Sequence, residues 1–222
     1  MKLHKMFEIQ MGLDDRIIKK RGLEDQNLLP ELILALQVEL AKCANEWRGF
    51  KYWSNNQKPR TKSSTNVGAT PENAAFFRCE NNNCGEYLSQ KDFENLFDPD
   101  YEECPICKVG YVTAFRDKNP LFEKYVDCLH FILSIGNCLD FNDPDTINHI
   151  IAEYLSIPVT FNVKWLFSSL ISTVAFTRRN YINLFINFFS LGECLGFKWE
   201  YVEAAYMEKN AENYQMQQED ME

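Results

Sequence analysis

The chain has no surplus of positive charge: 23 Lys and Arg stand against 32 Asp and Glu, for a net charge of −9. No basic stripe offsets this, so a nucleic-acid-binding surface is not expected. An unbroken apolar run is also missing. The most apolar region, Trp165 to Phe189, is interrupted by Thr177, Arg178, Arg179 and Asn180, whereas a membrane-spanning helix needs about 20 consecutive apolar residues. The opening MKLHKMFEIQ has no apolar segment followed by a cleavage site, and the expectation is a cytoplasmic protein with no membrane partner. There is no glycine-rich phosphate loop, and neither a Cys, His and carboxylate grouping nor a serine-hydrolase pattern points to a covalent nucleophile.

What is present is enough apolar material, 45% of 222 residues, to bury a sizeable core in one domain with an inserted module. The organising stretch is Leu32 to Ser54. Leu32, Leu36, Leu40, Cys43, Ala44 and Trp47 recur at three- and four-residue steps, the mark of an amphipathic helix. Beside that stripe runs a polar line of Glu39, Lys42, Asn45 and Glu46. A second helix carries Leu121, Tyr125, Cys128, Leu129, Ile132 and Ile135, with Glu123, Lys124, Asp127, His130 and Phe131 alongside. Packed together, the two would join Glu39, Lys42, Lys124 and Asp127. Taken separately, each polar line reads as a solvated face with its own ion pairs.

The remaining pattern is also helical. Residues 3–20 form a first helix carrying Gln10 and ending near Gly22. After a turn at Asn142 to Thr146, capped by Asp143 or Asp145, a helix runs from Asn148 to Leu155 and breaks near Pro158. A long apolar helix covers Val163 to Phe189, with an interruption at Asn180. Its Phe176, Tyr181, Leu184, Phe185, Phe188 and Phe189 are expected in the core or a dimer interface. Gly192 and Gly196 bracket the turn into the last helix, Trp199 to Gln215, and residues 217–222 are an acidic, disordered tail.

Residues 55–71 turn polar and rich in turn formers, a linker. Behind it lie Cys79 and Cys84, then Cys104 and Cys107, in the spacing C-x4-C-x19-C-x2-C. Paired thiolate knuckles preorganise a tetrahedral site, so these four are the expected ligands of a structural Zn²⁺, closed to catalysis because no position stays open. The sequence between them is acidic, which suits a protein contact better than nucleic acid. The other cysteines, Cys43, Cys128, Cys138 and Cys194, are read as buried thiols.

Four blocks, FEIQMGLDDRII, VELAKCANEWRGFKYWS, FEKYVDCLHFILS and AYMEKNAENYQMQ, resemble in their order the dimeric, all-α dUTP diphosphatase family. The resemblance implies an all-α helical bundle in residues 1–54 and 118–216 that carries the small four-cysteine, zinc-binding insertion, 55–117. It also implies a homodimer. In that family E-x-x-E and E-x-x-D motifs hold Mg²⁺ over the triphosphate of dUTP, which is cleaved to dUMP and pyrophosphate. Here the motifs fall on Glu39 with Lys42 and on Lys124 with Asp127, so two of four acids are lysines, which have no lone pair for a metal. Glu123 invites a one-residue slip, but that would rotate the position by about 100°, off the face. The family's C-terminal arginine falls on Met216.

The resemblance further assigns a uracil nucleotide to Gln10, Asn45, Lys51, Trp53, Asp127, His130, Phe131, Lys209, Asn210 and Asn213, with Asp127 at the 3′-hydroxyl and Phe131 crowding the 2′ position. Three functions follow as expectations. The first is a uracil-nucleotide binder or sequestering protein with the metal cage replaced by lysine. The second is an active dUTP diphosphatase using Mg²⁺. The third is an interaction scaffold working through the acidic insertion.

Overall fold

The computed structural model describes residues 1–92, 103–156, 162–174 and 177–219. Two compact units divide the chain: Met1–Pro59 with Leu121–Glu222, and Arg60–Pro120. The first is helical: α1 Leu3–Arg21, α2 Leu29–Trp47, α3 Pro120–Cys138, α4 Pro144–Tyr154, α5 Val163–Ile171, α6 Arg178–Leu195 and α7 Trp199–Glu219.

Local chemistry sets the helix ends. Gly22 closes α1 in the left-handed region at φ 64°, which costs glycine nothing, and Lys19, Lys20 and Arg21 face the negative end of the helix dipole. The carboxylate of Asp143 accepts from the Thr146 backbone N–H at 3.1 Å and so caps α4. Asn162 caps α5 and Thr177 caps α6 by the same side-chain device.

Helix α3 runs through the core, with Leu121, Tyr125, Val126, Cys128, Leu129, His130, Ile132, Leu133, Ser134, Ile135 and Gly136 all buried. Three buried tyrosines pin their neighbours to main-chain carbonyls. Tyr125 Oη donates to Phe188 O at 2.9 Å, Tyr181 Oη to Ile132 O at 2.8 Å, and Tyr206 Oη lies 3.1 Å from Met6 O. The Tyr125 ring also stacks on Phe188, with centroids 4.2 Å apart. Each phenol thus buries its apolar body while its hydroxyl stays hydrogen-bonded.

The second unit is an antiparallel four-stranded sheet of β1 Ser63–Thr65, β2 Phe76–Cys79, β3 Tyr87–Ser89 and β4 Val112–Lys118, in the order β1-β4-β2-β3. Phe77 of β2 pairs with Leu88 of β3 and Ala114 of β4. Among the described residues its buried apolar cluster is Ala74, Phe77 and Leu88.

Several expectations are corrected. The single helix over Val163 to Phe189 is two helices: α5 ends at Ile171, and Thr177 rather than Asn180 marks the restart. A Thr or Asn side chain that binds the following amides competes with helix continuation, and periodicity of apolar residues does not register this. Helix α4 starts at Pro144, four residues early, because proline suits a first turn. Gly192 lies inside α6, where a Cβ would run into the Tyr125 hydroxyl, and Gly196 alone makes the turn at φ 81°. Cys138 is exposed rather than buried, and Cys194 is half-buried. Residues 217–219 of the expected disordered tail are the last turn of α7, while the expected break at Pro158, the core position of Phe176 and residues 220–222 lie outside the described residues.

Gly136 faces the phenol of Tyr181 and the ring of Phe7, and an added Cβ would overlap both. Neither ring can swing aside inside the core. Gly136→Ala is therefore expected to destabilise the helical unit by about 2 kcal/mol, read as a lowered denaturant midpoint with unchanged slope.

Candidate functional site

Polar residues follow one another along α3 at helical steps: Lys124, Asp127, His130 with Phe131, and Ser134. The first two belong to an ion cluster. Lys124 Nζ lies 2.6 Å from Asp127 Oδ2 and 3.5 Å from Glu39 Oε2, so it joins α3 to α2. Lys42 Nζ holds the other Glu39 oxygen at 2.6 Å. From α7, Lys209 Nζ donates to Asp127 Oδ1. Three ammoniums against two carboxylates leave this group with one net positive charge. Burial by itself would raise the Asp127 carboxyl, but Lys124 and Lys209 outweigh it and hold the group below the ordinary carboxylate range. Burial pulls the Lys124 ammonium down, and Asp127 and Glu39 more than restore it.

One turn further along α3 and α7 the partners change from ions to a network around Gln10. The Gln10 amide nitrogen donates to Asp14 Oδ1 at 2.8 Å and to Ser134 Oγ at 3.1 Å. Its oxygen lies 2.9 Å from His130 Nδ1 and 3.0 Å from the Tyr206 hydroxyl. Since an amide oxygen only accepts, the His130 proton sits on Nδ1 and a lone pair occupies Nε2. That Nε2 is buried with no hydrogen-bond partner. Burial, seconded by the charge of Lys209, lowers the His130 pKa to about 4, and burial pushes the Asp14 carboxyl up to about 6.

A cavity of about 560 Å³ opens beside this network, lined among others by Gln10, Asp14, His130, Phe131, Ser134 and Asn213. The structure thus gathers Gln10, Asp127, His130, Phe131, Lys209, Asn210 and Asn213 along one line of the helical unit. Asn210 Nδ2 lies 3.5 Å from Gln10 Oε1. Three other expected residues are elsewhere: Asn45 is exposed on α2, Lys51 lies over the Phe50 ring, and Trp53 is 65% exposed, edge-on to Phe50 and Tyr52. Asp14, Ser134 and Tyr206 join the site without having been expected there. Asp14 carries a usable signal, because it follows Gln10 by four residues and so shares its helix face.

In the sheet unit, Cys79, Cys84, Cys104 and Cys107 bring their sulfurs within 4.8 Å of one another, a group that could hold a metal ion. The backbone N–H groups of Val109 and Gly110 pull the Cys107 thiol down to about 6, whereas burial pushes the Cys79 thiol up to about 12.

The dUTPase family matches residues 2–66 and 113–220, both halves of the helical unit, and leaves out the cysteine-bearing segment between them. The chain belongs to the dUTPase family. No curated protein and no solved structure matches it. Membership brings an all-α fold, nucleotide binding and oligomerisation.

The dUTPase family uses Mg²⁺, but the residues at this site do not fit that ion. Mg²⁺ asks for hard oxygen ligands in octahedral array, and here ammoniums occupy the carboxylates of Glu39 and Asp127. Among the described residues no helix is long and apolar enough to cross a membrane.

Asp14 and His130 have opposite effects on stability in acid. The lowered His130 pKa means that below about 6.5 the unfolded chain takes up a proton the folded one refuses, so stability falls on acidification toward pH 4. The raised Asp14 pKa works the other way: between about 6 and 3.8 the folded chain takes up the extra proton, and stability rises. Asp14→Asn removes the second effect. Its denaturation free energy is expected to fall more steeply than that of wild type between pH 6 and 4.

Proposed function

We propose that the helical unit of this dUTPase-family chain binds a pyrimidine nucleotide with few phosphates and holds it without efficient hydrolysis, as a homodimer. The observation that carries this reading is the pairing of Glu39 and Asp127 with Lys42, Lys124 and Lys209. Those ammoniums do the charge-neutralising work of metal ions, while no metal remains to generate a nucleophilic water. The surplus positive charge is matched to a phosphate, to which lysine donates as a point charge. Along α3 the phosphate-side Lys124 and the base-side His130 are six residues apart, about 9 Å, a span that suits a nucleoside monophosphate. Met216, exposed on α7 where the family carries an arginine, adds no phosphate contact.

The test is calorimetric titration with pyrimidine mononucleotides and with dUTP, with and without Mg²⁺, and pyrophosphate measured in parallel. Mg²⁺-independent binding without pyrophosphate is expected. Mg²⁺-dependent release of pyrophosphate from dUTP would make the chain an ordinary dUTP diphosphatase. Lys42→Glu with Lys124→Glu turns the cluster from one net positive to three net negative charges. This double variant is expected to lose Mg²⁺-free binding by at least about tenfold and to regain part of it when Mg²⁺ is added.

For the sheet unit the proposal is structural zinc. Four sulfurs at Zn–S bonds of about 2.3 Å stand about 3.8 Å apart at the corners of a tetrahedron. Cys79 to Cys107 is 3.7 Å and Cys84 to Cys104 is 3.9 Å. Four cysteines leave no open position, and a three-residue apolar cluster gives the sheet little other support. One zinc per chain is expected by elemental analysis. Replacing Cys104 and Cys107 with serine is expected to remove it and disorder the sheet, while helical circular dichroism persists.

A further inference from the structure

Asn45, Lys51 and Trp53 are displaced together from the place a nucleotide would need them. All three lie at or beyond the C-terminal end of α2, whereas Gln26, Asn27, Leu28 and Leu32 line the cavity at its N-terminal end. From Leu32 to Trp47 the helix rises about 22 Å, and Trp53 is not part of the lining. The same helix carries an apolar stripe in solvent. Leu34, Val38 and Ala41 are exposed, Leu34 by 62% and Val38 by 43%, at steps of four and three residues that put them on one face. The core side of α2, with Leu36, Leu40 and Cys43, is opposite. Past the helix the apolar surface continues with Tyr52, 86% exposed, and Trp53 edge-on to it.

The stripe is complementary to a second copy of itself. A two-fold axis at its midpoint, between Gln37 and Val38, pairs two antiparallel α2 helices and sets Leu34 against the partner's Ala41 at both ends, large against small. On one flank of the stripe, exposed Glu31 comes within about 3 Å of the level of the partner's Lys42, two residues of rise. Opposite charges thus face each other twice. Each positive helix N-terminus also lies beside a negative C-terminus. The same operation brings the partner's Arg48, the residue that ends α2, level with Asn27. The partner's aromatic segment then leaves its helix at the turn that lines the cavity. Resting on the nucleotide-binding reading above, we infer that α2 pairs with its own copy through Leu34, Val38 and Ala41 and that the site is shared, Trp53 of one chain walling the base held in the cavity of the other. An aromatic face supplies stacking to any base, and the pairing returns all three stranded residues to one end of the partner's α2.

Two measurements on the full-length chain test this. Val38→Cys, beside the two-fold axis, is expected to form a disulfide-linked dimer in glutathione disulfide, while the wild type, with Cys138 exposed, does not. The second measurement separates shared sites from separate ones. Trp53→Ala and Phe131→Ala are each expected to weaken dUMP binding, read by calorimetry without Mg²⁺, by at least about tenfold. Co-expressed, the two variants form mixed dimers in which one site carries both changes and the other neither. Wild-type affinity is then expected to return in roughly a quarter of all sites, the random-pairing fraction. No disulfide-linked Val38→Cys dimer, undiminished binding by Trp53→Ala, or no recovery in the mixed sample overturns the inference and leaves the nucleotide-binding reading standing, provided the wild type binds. Failure of the wild type to bind any pyrimidine mononucleotide overturns the shared site together with that reading.

Discussion

Taking the polar face of α3 out of water is the constraint on which the rest of this site depends. The helix is buried over most of its length, yet it carries Lys124, Asp127, His130 and Ser134 on its path. A buried charge without a partner costs far more than the pair contributes, and a buried neutral group without a hydrogen bond also costs free energy. The surrounding helices answer each one. Glu39 comes from α2, Gln10 and Asp14 from α1, and Lys209, Tyr206 and Asn210 from α7. Almost every demand is met inside the protein. The lone pair on His130 Nε2 is left over beside a cavity.

Substitution of lysine for acid changes what such a helix pair can do while leaving its architecture intact. Four carboxylates repel one another and require cations from solution. Two carboxylates interleaved with three lysines are held together without cations from solution, and the cluster is assembled before any ligand arrives. A fold can be kept while the chemistry of its site changes, because the two rest on different side chains. The sheet unit illustrates a different economy. Among its described residues the apolar cluster is three side chains, and its four thiols lie close enough together that they could hold a metal ion.

Much of the helical unit is legible in the sequence because long amphipathic periods with good caps have few alternative readings. Leu36, Leu40 and Cys43 on α2, and Tyr125, Leu129 and Ile132 on α3, are buried as their spacing requires. Legibility is poorest where a cap interrupts an apolar run. Thr177 restarts a helix in the middle of what looks like one continuous hydrophobic segment. Gly192 shows a similar ambiguity, since glycine marks a turn or a close approach with equal ease, and here Tyr125 decides. Of the nucleotide residues, those on α3 and α7 converge, whereas Asn45, Lys51 and Trp53 belong to the surface at and beyond the end of α2.

The sequence alone determined the helical class, the inserted cysteine knuckles and the presence of Lys42 and Lys124 in the polar lines of two helices. All of these are properties of residue type and spacing along the chain. Only the tertiary structure decided that Lys209 completes the ion cluster, that Gln10 is spent within the protein, and that Asp14 and His130 face a cavity as acceptors. The physical reason is that a hydrogen-bonding role is set by the partner across the interface. Gln10 and His130 are 120 residues apart, and until they meet neither the tautomer of the ring nor the orientation of the amide has been chosen.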